Sequence, residues 1–238
     1  MTDSFAERFR RTRLHHAAAV LVAGLAVAFV AAWAFGDLII DVIRKQDLEV
    51  FDRPFVRYLA LHRSGDITAA MKAASFFGGT LFVVACLIVA AVWAYRRTHH
   101  FRWPLFFLAT MAGAVATDNL VKLVVHRARP NIHPLVHPFG TSFPSGHATA
   151  SAVLFATLAL YVGRGRTFGT RAVLWSLAVI VPVAVGLSRV YLGAHWPTDV
   201  LAGFALGAFW TAVGATAAAR IRPGSIAAVR GTDGAGRP

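Results

Sequence analysis

Six long apolar segments limit what this sequence can fold into. They occupy residues 17–35, 74–95, 103–121, 147–163, 172–189 and 197–219. Each is close to the roughly 20 residues that a helix needs to cross about 30 Å of hydrocarbon. Six such spans leave no room in a chain of 238 residues for a second globular domain. We therefore predict an all-α, polytopic bundle of six transmembrane helices that forms one domain over residues 1–221.

The composition agrees with a membrane protein. Hydrophobic residues make up 57% of the chain and charged residues 15%, whereas soluble domains average roughly 45–50% apolar and about 25% charged residues. This excess excludes a disordered chain, and the single Cys86 excludes a disulfide scaffold. Cys86 lies in the second apolar segment and is interpreted as a small buried apolar residue. The tail at residues 222–238 has no apolar periodicity and is predicted to be disordered.

The basic residues predict the orientation of the spans. The net charge is +13, but the basic residues are scattered in short clusters, which does not indicate a nucleic-acid partner. Most lie on one side of a six-span bundle, in four clusters: Arg8, Arg10, Arg11 and Arg13; Arg96, Arg97 and Arg102; Arg164, Arg166 and Arg171; Arg220, Arg222, Arg230 and Arg237. The positive-inside rule places that side, with both termini, in the cytoplasm. The chain is thus predicted to be a multi-pass protein of the cytoplasmic (inner) membrane.

The first apolar segment has an alternative reading as a cleaved signal peptide. Arginines precede it, and Ala32-Trp33-Ala34 fits a small-x-small cleavage pattern. The run from Ala17 to Phe35 is longer than the roughly 7–15 residues of a signal-peptide core, so a retained helix is favoured.

The segment at residues 37–66 is too polar to span the membrane. Its apolar residues, among them Leu48, Phe51, Phe55 and Tyr58, recur at roughly helical spacing among charges. This pattern predicts a helix that lies in the outer membrane interface after the first span. Such a helix would either line the entrance for a lipid or pack against the bundle.

Polar residues cluster where the last four spans meet the extracytoplasmic side, and polar groups at the edges of spans are functional candidates. They form three groups: Lys122, Arg127, Arg129 and Pro130; Pro144 to His147; Ser188 and Arg189 with His195 and Asp199. The topology of a six-span bundle brings all three groups to one face.

Five of these residues suit a phosphate group. The cations Lys122, Arg129 and Arg189 carry donors that match phosphate oxygens. Ser145 and Gly146 lead into a helix whose N-terminal amides favour an anion. Arg189 has an alternative reading as an interfacial anchor that snorkels to the lipid headgroups.

Two histidines supply groups that can move protons near neutral pH, His147 and His195. Pro197 suits the first position of a helix, which places Asp199 where its carboxylate can reach back to the His195 ring. A carboxylate in that position fixes the tautomer of a histidine and stabilises its charged form. Together these groups predict phosphoryl transfer with a histidine nucleophile, a second histidine as general acid and a cradle of cations.

The three groups resemble, in order and spacing, the signature of the type 2 phosphatidic acid phosphatase family: Lys122-x6-Arg129-Pro130, Pro144-Ser145-Gly146-His147 and Ser188-Arg189-x5-His195-x3-Asp199. The resemblance covers about residues 70–210. It implies that His195 attacks phosphorus to form a phosphohistidine, that Asp199 activates it, and that His147 protonates the leaving oxygen. It also implies a phosphate site without metal or cofactor, formed by Lys122, Arg129, Ser145, Gly146 and Arg189.

Three neighbouring features lie outside that signature. Asp118 precedes Lys122 by four residues, so on a helix the two share a face, and we predict that Asp118 pairs with Lys122 and aims its ammonium at the phosphate. Arg127 is interpreted as a surface or phospholipid-headgroup contact. His133 and His137 have the spacing of helical metal ligands, but the prolines beside them favour a loop.

The function predicted from these residues is hydrolysis of a lipid phosphate or diphosphate at the outer face of the membrane. The favoured substrate is undecaprenyl or another polyprenyl diphosphate, followed by phosphatidic acid or phosphatidylglycerol phosphate. The alternatives are an enzyme like the vanadate-dependent haloperoxidases, which share the phosphate-holding residues, and a non-catalytic lipid-binding or transport protein. The partners expected are a lipid substrate and the bilayer, and the sequence does not decide the oligomeric state.

Overall fold

The computed structural model describes residues 3–44 and 48–220. All regular structure in these two ranges is helical, in agreement with the predicted all-α class. The helices are α1 (Asp3–Arg44), α2 (Leu48–Leu61), α3 (Gly65–Phe76), α4 (Thr80–Thr98), α5 (Arg102–Val125), α6 (Gly146–Val162), α7 (Phe168–Tyr191) and α8 (Pro197–Arg220). The tail predicted to be disordered, residues 222–238, lies outside the described residues.

Five of the described helices are long and apolar enough to cross a membrane: α4, α5, α7, α8 and the part of α1 from Leu21 to Arg44. The shorter helix α6 has 17 residues and is also apolar. All six coincide with apolar segments of the sequence, although α1, α5 and α7 extend several residues beyond the predicted ends. The chain therefore passes the membrane several times.

The segment at residues 37–66 is divided among three helices, where the sequence predicted one. Its first residues continue α1, so that Asp37 and Asp41 belong to that long helix. The amphipathic part forms α2, which buries Val56 against the bundle and leaves Phe51 and Tyr58 exposed. The remainder begins α3, whose N-terminus is capped by the Ser64 hydroxyl, which accepts a hydrogen bond from Ile67 N. Because charged residues are spread over the whole segment, its hydropathy pattern does not show where one helix ends and the next begins.

The predicted second span, residues 74–95, is interrupted near its start. Helix α3 ends at Phe76 and α4 begins at Thr80, with Gly78 and Gly79 between them. Gly78 packs so closely on the bundle that a Cβ atom there would lie 2.5 Å from Val185 Cγ1 and 3.0 Å from the backbone oxygen of His147. The break therefore lets the α3–α4 corner approach the start of α6. Cys86 is partly buried within α4, against the hydrophobic core.

Helices α6 and α8 form the centre of the bundle. Helix α6 packs against α7, α8 and α5, while α8 also packs against α1 and α5. Gly203 of α8 lies against the backbone oxygen of Ser145, where a Cβ would approach to 2.7 Å. Small residues of this kind let two helix backbones come close together in a membrane. This close approach places the first turn of α8 beside the first turn of α6.

Candidate active site

A long non-helical segment, residues 126–145, crosses the end of the bundle where α5, α6, α7 and α8 meet. Three backbone hydrogen bonds fix its course: Ser142 N donates to Arg127 O, Leu135 N to Leu192 O, and Ser145 N to Asp199 O. His133 and His137 are exposed on this segment, which is not helical, as their neighbouring prolines predicted. The described residues contain no group of three or more His, Cys, Asp or Glu side chains that is arranged to hold a metal ion.

His195 lies in the α7–α8 turn and is 4% exposed. Its Nδ1 atom is 2.8 Å from the backbone oxygen of Ser142. A carbonyl oxygen only accepts hydrogen bonds, so Nδ1 carries the proton of the neutral ring and Nε2 keeps its lone pair. The lone pair of Nε2 faces Arg129, whose Nη1 atom lies 3.3 Å away.

The pKa of His195 is lowered by its surroundings. Burial is the largest cause, and the charges of Arg129 and Arg189 act in the same direction. The carboxylate of Asp199 opposes them and raises the pKa, but less than burial lowers it. Since an unperturbed histidine has a pKa of about 6.5, the ring is neutral and able to act as a nucleophile at pH 7.

Asp199 is fully buried at the first turn of α8. Its Oδ2 atom lies 3.6 Å from His195 Nδ1, so the predicted proximity to the ring is confirmed. The nearer donors to Oδ2 are the Ser142 hydroxyl and the backbone N–H of Trp196, the latter at 2.8 Å. Asp199 therefore acts on the ring by its charge, while the carbonyl of Ser142 holds the tautomer.

Arg129 is held rigidly beside the histidine. It donates to the backbone oxygens of Gly140 at 3.0 Å, Phe139 at 3.0 Å and Ala194 at 2.7 Å. These bonds fix the plane of the guanidinium against His195 without neutralising its charge.

Arg189 is 7% exposed, which disagrees with the alternative reading as an anchor that snorkels to the headgroups. Its Nη1 atom donates to the Ser75 hydroxyl at 2.7 Å. Its Nε atom is buried without a protein partner. An unpartnered buried guanidinium nitrogen is costly, and an anion in the site would satisfy it.

Ser145 and Gly146 begin helix α6. Ser145 is the N-cap residue, yet its side chain makes no capping hydrogen bond, and its Oγ atom is buried without a protein partner. The free amides of the first turn and this hydroxyl therefore remain available to an anion. A Cβ on Gly146 would lie 3.6 Å from Lys122 Nζ, which places the lysine beside the same turn.

Lys122 and Asp118 form the predicted pair on α5: the ammonium of Lys122 donates a hydrogen bond to Asp118 Oδ2. Asp118 is 5% exposed, and its Oδ1 atom is buried without a partner.

His147, at the second position of α6, lies within electrostatic reach of four groups: Arg189, His195, Arg129 and Lys122. The eight residues that the sequence assigned to catalysis or phosphate binding thus converge on one site.

Several residues in this site have no place in the sequence prediction. Arg127 was interpreted as a surface or headgroup contact, but the structure buries most of its side chain and pairs it with two carboxylates. Its Nη1 atom lies 2.6 Å from Asp199 Oδ1, and its Nη2 atom lies 2.6 Å from Asp52 Oδ2. The other contributors are Ser75, Ser142 and Thr198, each buried and hydrogen-bonded to a charged or catalytic candidate. A serine or threonine in an apolar segment gives little indication of a functional role. A carboxylate in an amphipathic helix, such as Asp52, is a stronger indication, and the sequence could have revealed it.

A cleft of about 810 Å³ opens next to the site, between the end of α1, the start of α2 and residues 124–132. Its lining includes the apolar side chains of Val42, Ile43, Val124 and Val125 and also Arg127, Arg129 and Trp196. A cleft with such a mixed lining suits a molecule that has a charged head and an apolar tail.

The bundle and its polar site define a polytopic membrane enzyme that acts on phosphate groups. The chain belongs to the PAP2 superfamily, because the sequence model of that family matches residues 103–223.

The relatives of this chain are lipid phosphatases. It is 29% identical to phosphatidylglycerophosphatase B of Bacillus subtilis over 75% of its own length and 88% of that protein. It is 32% identical to the undecaprenyl-diphosphatase BcrC of the same organism, over 50% of this chain and 60% of BcrC. It is 35% identical to a lipid A 1-phosphatase of Rhizobium johnstonii over 49% of this chain and 47% of the relative.

Solved structures share the fold. The crystal structure of a transmembrane PAP2-type phosphatidylglycerolphosphate phosphatase from Bacillus subtilis matches with a TM-score of 0.74 and 25% identity, over 79% of this chain and 93% of that one. The structure of Aquifex aeolicus LpxE matches with a TM-score of 0.55 and 18% identity, over 69% of this chain and 94% of that one, and indicates the fold alone.

Proposed function

We propose that this enzyme hydrolyses the phosphate monoester or diphosphate of a membrane lipid through a phosphohistidine intermediate on His195. One observation carries the proposal: the lone pair of a buried, neutral histidine faces a group of cations and unpartnered polar atoms. Arg129 Nη1 is 3.3 Å from His195 Nε2, and Ser145 Oγ and Arg189 Nε lack protein partners.

The first chemical step follows from these positions. His195 Nε2 attacks phosphorus and forms the P–N bond, while the bond from phosphorus to the leaving oxygen breaks. His147 gives its proton to that oxygen as general acid. The cations Lys122, Arg129 and Arg189 hold the phosphoryl oxygens, together with Ser145 and the amides of α6 that begin at Gly146.

The second step regenerates the enzyme. His147, now without its proton, takes one from a water molecule, and the hydroxide attacks phosphorus as the P–N bond breaks. The electron pair of that bond returns to His195 Nε2, and inorganic phosphate leaves. The negative charge of Asp199 stabilises the positive ring that exists while His195 carries the phosphoryl group.

The lipid is proposed from the chain's relatives and the adjacent cleft. Polyprenyl diphosphate was the substrate favoured from the sequence, and undecaprenyl-diphosphatase BcrC supports it. Phosphatidylglycerol phosphate is supported by the relative that aligns with more of the chain. The apolar residues that line the cleft suit either tail, so both lipids belong at the head of the substrate panel, followed by phosphatidic acid.

We further propose six spans in the cytoplasmic membrane, both termini in the cytoplasm, and the site on the extracytoplasmic side. The arrangement of the basic clusters supports this orientation. Helix α6 supplies the sixth span, and amphipathic α2 lies in the outer interface beside the cleft. One domain over residues 1–221 contains the whole site.

The test is phosphate release by the purified protein in detergent from a panel of lipid phosphates and diphosphates, with and without EDTA. We expect turnover that survives EDTA and falls by about 10⁴-fold or more in His195→Ala. His100→Ala, a change of an exposed histidine at the other end of α4, serves as the matched control and retains activity. Complete loss with EDTA, or full activity of His195→Ala, contradicts the mechanism.

A further inference from the structure

A buried network of charges joins helix α2 to the candidate active site. At its centre is Arg127, whose Nη1 atom contacts Asp199 Oδ1 at 2.6 Å and Thr198 Oγ1 at 2.7 Å. Its Nη2 atom contacts Asp52 Oδ2 at 2.6 Å. The side chain of Arg127 is 14% exposed, while Asp52 and Asp199 are 1% and 0% exposed.

Asp52 closes the network from the α2 side. Its Oδ1 atom accepts the backbone N–H of Thr198 at 3.1 Å, and its Oδ2 atom accepts the Thr198 hydroxyl at 2.6 Å. Asp52 thereby satisfies an amide in the first turn of α8, where a negative charge is also favoured by the helix dipole. Helix α2 is thus tied to the turn that carries Asp199.

The two oxygens of Asp199 have different partners. Oδ2 faces Ser142, Trp196 and the His195 ring, and Oδ1 faces Arg127. The donors of a guanidinium form a rigid fork, so Arg127, with one Nη atom on Asp199 and the other on Asp52, holds the two carboxylates in a fixed relative position. Without Arg127, a fully buried carboxylate oxygen loses its charged partner. Only the hydrogen bonds of Oδ2 with Ser142 and Trp196 then hold the carboxylate against rotation.

From this geometry we infer that Arg127 and Asp52 are positioning residues of the active site, which orient Asp199 toward His195 and make helix α2 a structural part of the catalytic machinery. The inference rests on the proposed function. It extends the machinery beyond the matched family region, residues 103–223, because Asp52 lies well before it. It also gives α2 a second role besides its contact with the membrane interface.

Arg127 has one competing role, as a contact for the lipid phosphate, because it lines the cleft beside Arg129. Both of its Nη atoms, however, are already directed at carboxylates of the protein. A substrate contact raises KM when it is removed, whereas a positioning residue lowers kcat. The two roles therefore differ in what a kinetic measurement detects.

The pH profile gives a second discrimination. The charged and titratable groups that face His195 are Asp199 of α8, Arg129 of the crossing segment, Arg189 of α7, His147 of α6 and Asp118 of α5. Removing the positive charge of Arg127 leaves the buried carboxylate of Asp199 without its cationic partner, which favours the protonated form of the His195 ring. The acid limb of the kcat profile then moves to higher pH.

The experiment compares Arg127→Gln, Arg127→Lys and Asp52→Asn in the full chain in detergent, using the best lipid phosphate from the panel above. We expect Arg127→Gln to lower kcat by about 100-fold with KM within about threefold, as for a slight misplacement of a catalytic group. Arg127→Lys keeps the charge but not the fork, so kcat falls while the acid limb stays in place. Asp52→Asn lowers kcat less, and its effect is not additive with that of Arg127→Gln.

Arg166→Gln and Asp66→Asn are matched controls, because both residues are exposed and neither belongs to the network. The inference is overturned by wild-type kinetics in Arg127→Gln, or by a raised KM with unchanged kcat. If Arg127→Gln does not fold, as judged by gel filtration in detergent, Arg127→Lys and Asp52→Asn decide by the same criteria.

Absence of phosphate release by the wild-type protein contradicts the proposed function itself. In that case ¹⁵N-histidine spectra still test whether Arg127→Lys and Asp52→Asn displace the His195 ring.

Discussion

At the scale of single residues, two different partners act on the His195 ring. The backbone oxygen of Ser142, 2.8 Å from Nδ1, fixes the tautomer, and the carboxylate of Asp199, 3.6 Å away, supplies charge. In a serine-protease triad one carboxylate performs both tasks. Their separation here predicts that losing the carboxylate leaves the ring correctly oriented but unsupported when it becomes positive.

The pH dependence follows from the lowered pKa of His195. The proposed mechanism needs the neutral ring, so kcat/KM should persist below pH 6.5 and fall only when the pH drops through the lowered pKa. Asp199→Asn removes the group that raises this pKa, so the acid limb should move to still lower pH. In the same variant kcat should fall by about 10³-fold. A pH–rate series on both proteins checks this, and a limb that moves upward contradicts it.

The Asp118–Lys122 pair leads to a prediction about phosphate affinity. Asp118→Asn removes the negative partner that holds the ammonium beside Gly146, so Lys122 should become mobile. We expect KM, and the inhibition constant of inorganic phosphate, to rise about tenfold, which corresponds to about 1.4 kcal/mol. Asn119→Asp on the exposed face of the same helix is the control. Unchanged affinity and activity in Asp118→Asn mean that the pair has no role in binding.

At the scale of elements, the corner between α3 and α4 supports the start of α6. Ser75, near the end of α3, holds Arg189, and Gly78 lies against His147. Two residues of the corner thus define the surroundings of a phosphate-site cation and of the proposed general acid. This explains why the second apolar segment is broken where a span without interruption was predicted.

Gly78→Ala tests that corner. The new methyl group would meet Val185 and the backbone of His147, so we expect a loss of about 1–3 kcal/mol of stability together with reduced kcat. Gly169→Ala is the matched control, because nothing lies within 4 Å of a Cβ there and alanine is the better helix former by roughly 0.5–1 kcal/mol. Thermal unfolding in detergent and phosphate release measure both effects. Equal behaviour of the two variants contradicts the close packing.

At the scale of the whole molecule, the proposed orientation separates the two ends of the bundle by chemistry. The ends of α4 and α6 and the start of α5 carry arginines, and Arg164 stacks on Trp103 with its guanidinium carbon 4.1 Å from the ring centre. The opposite end carries the site and the cleft. A lipid phosphatase with its site at one end can reach a headgroup while the lipid tail stays in the bilayer.

Thiol labelling tests the orientation directly, because Cys86 is the single cysteine of the chain. In a Cys86→Ser background, His133→Cys should react with a membrane-impermeant maleimide in intact cells, and Arg166→Cys should react only after lysis. Both positions are exposed and lie at opposite ends of the bundle. The reverse pattern contradicts the proposed topology.

The spans were predictable because lipid imposes a simple rule on sequence, about 20 apolar residues for each crossing. The order of the spans by itself places Lys122, Arg129, His147, Arg189 and His195 at one end of the bundle. The α3–α4 break and the division of residues 37–66 were missed. They depend on contacts with distant helices, such as that between Gly78 and His147.

The sequence by itself determined the class of fold, the chemistry of the site and the pairing of Asp118 with Lys122, because these follow from hydropathy, residue type and helical spacing. Only the tertiary structure decided what holds Asp199 and Arg189. Arg127 is 72 residues from Asp199, and Ser75 is 114 residues from Arg189. Asp52, which holds Arg127 in turn, is 75 residues from it. Short-range patterns carry no information at such separations. Burial makes these contacts decisive, since a charge removed from water needs a partner wherever the fold provides one.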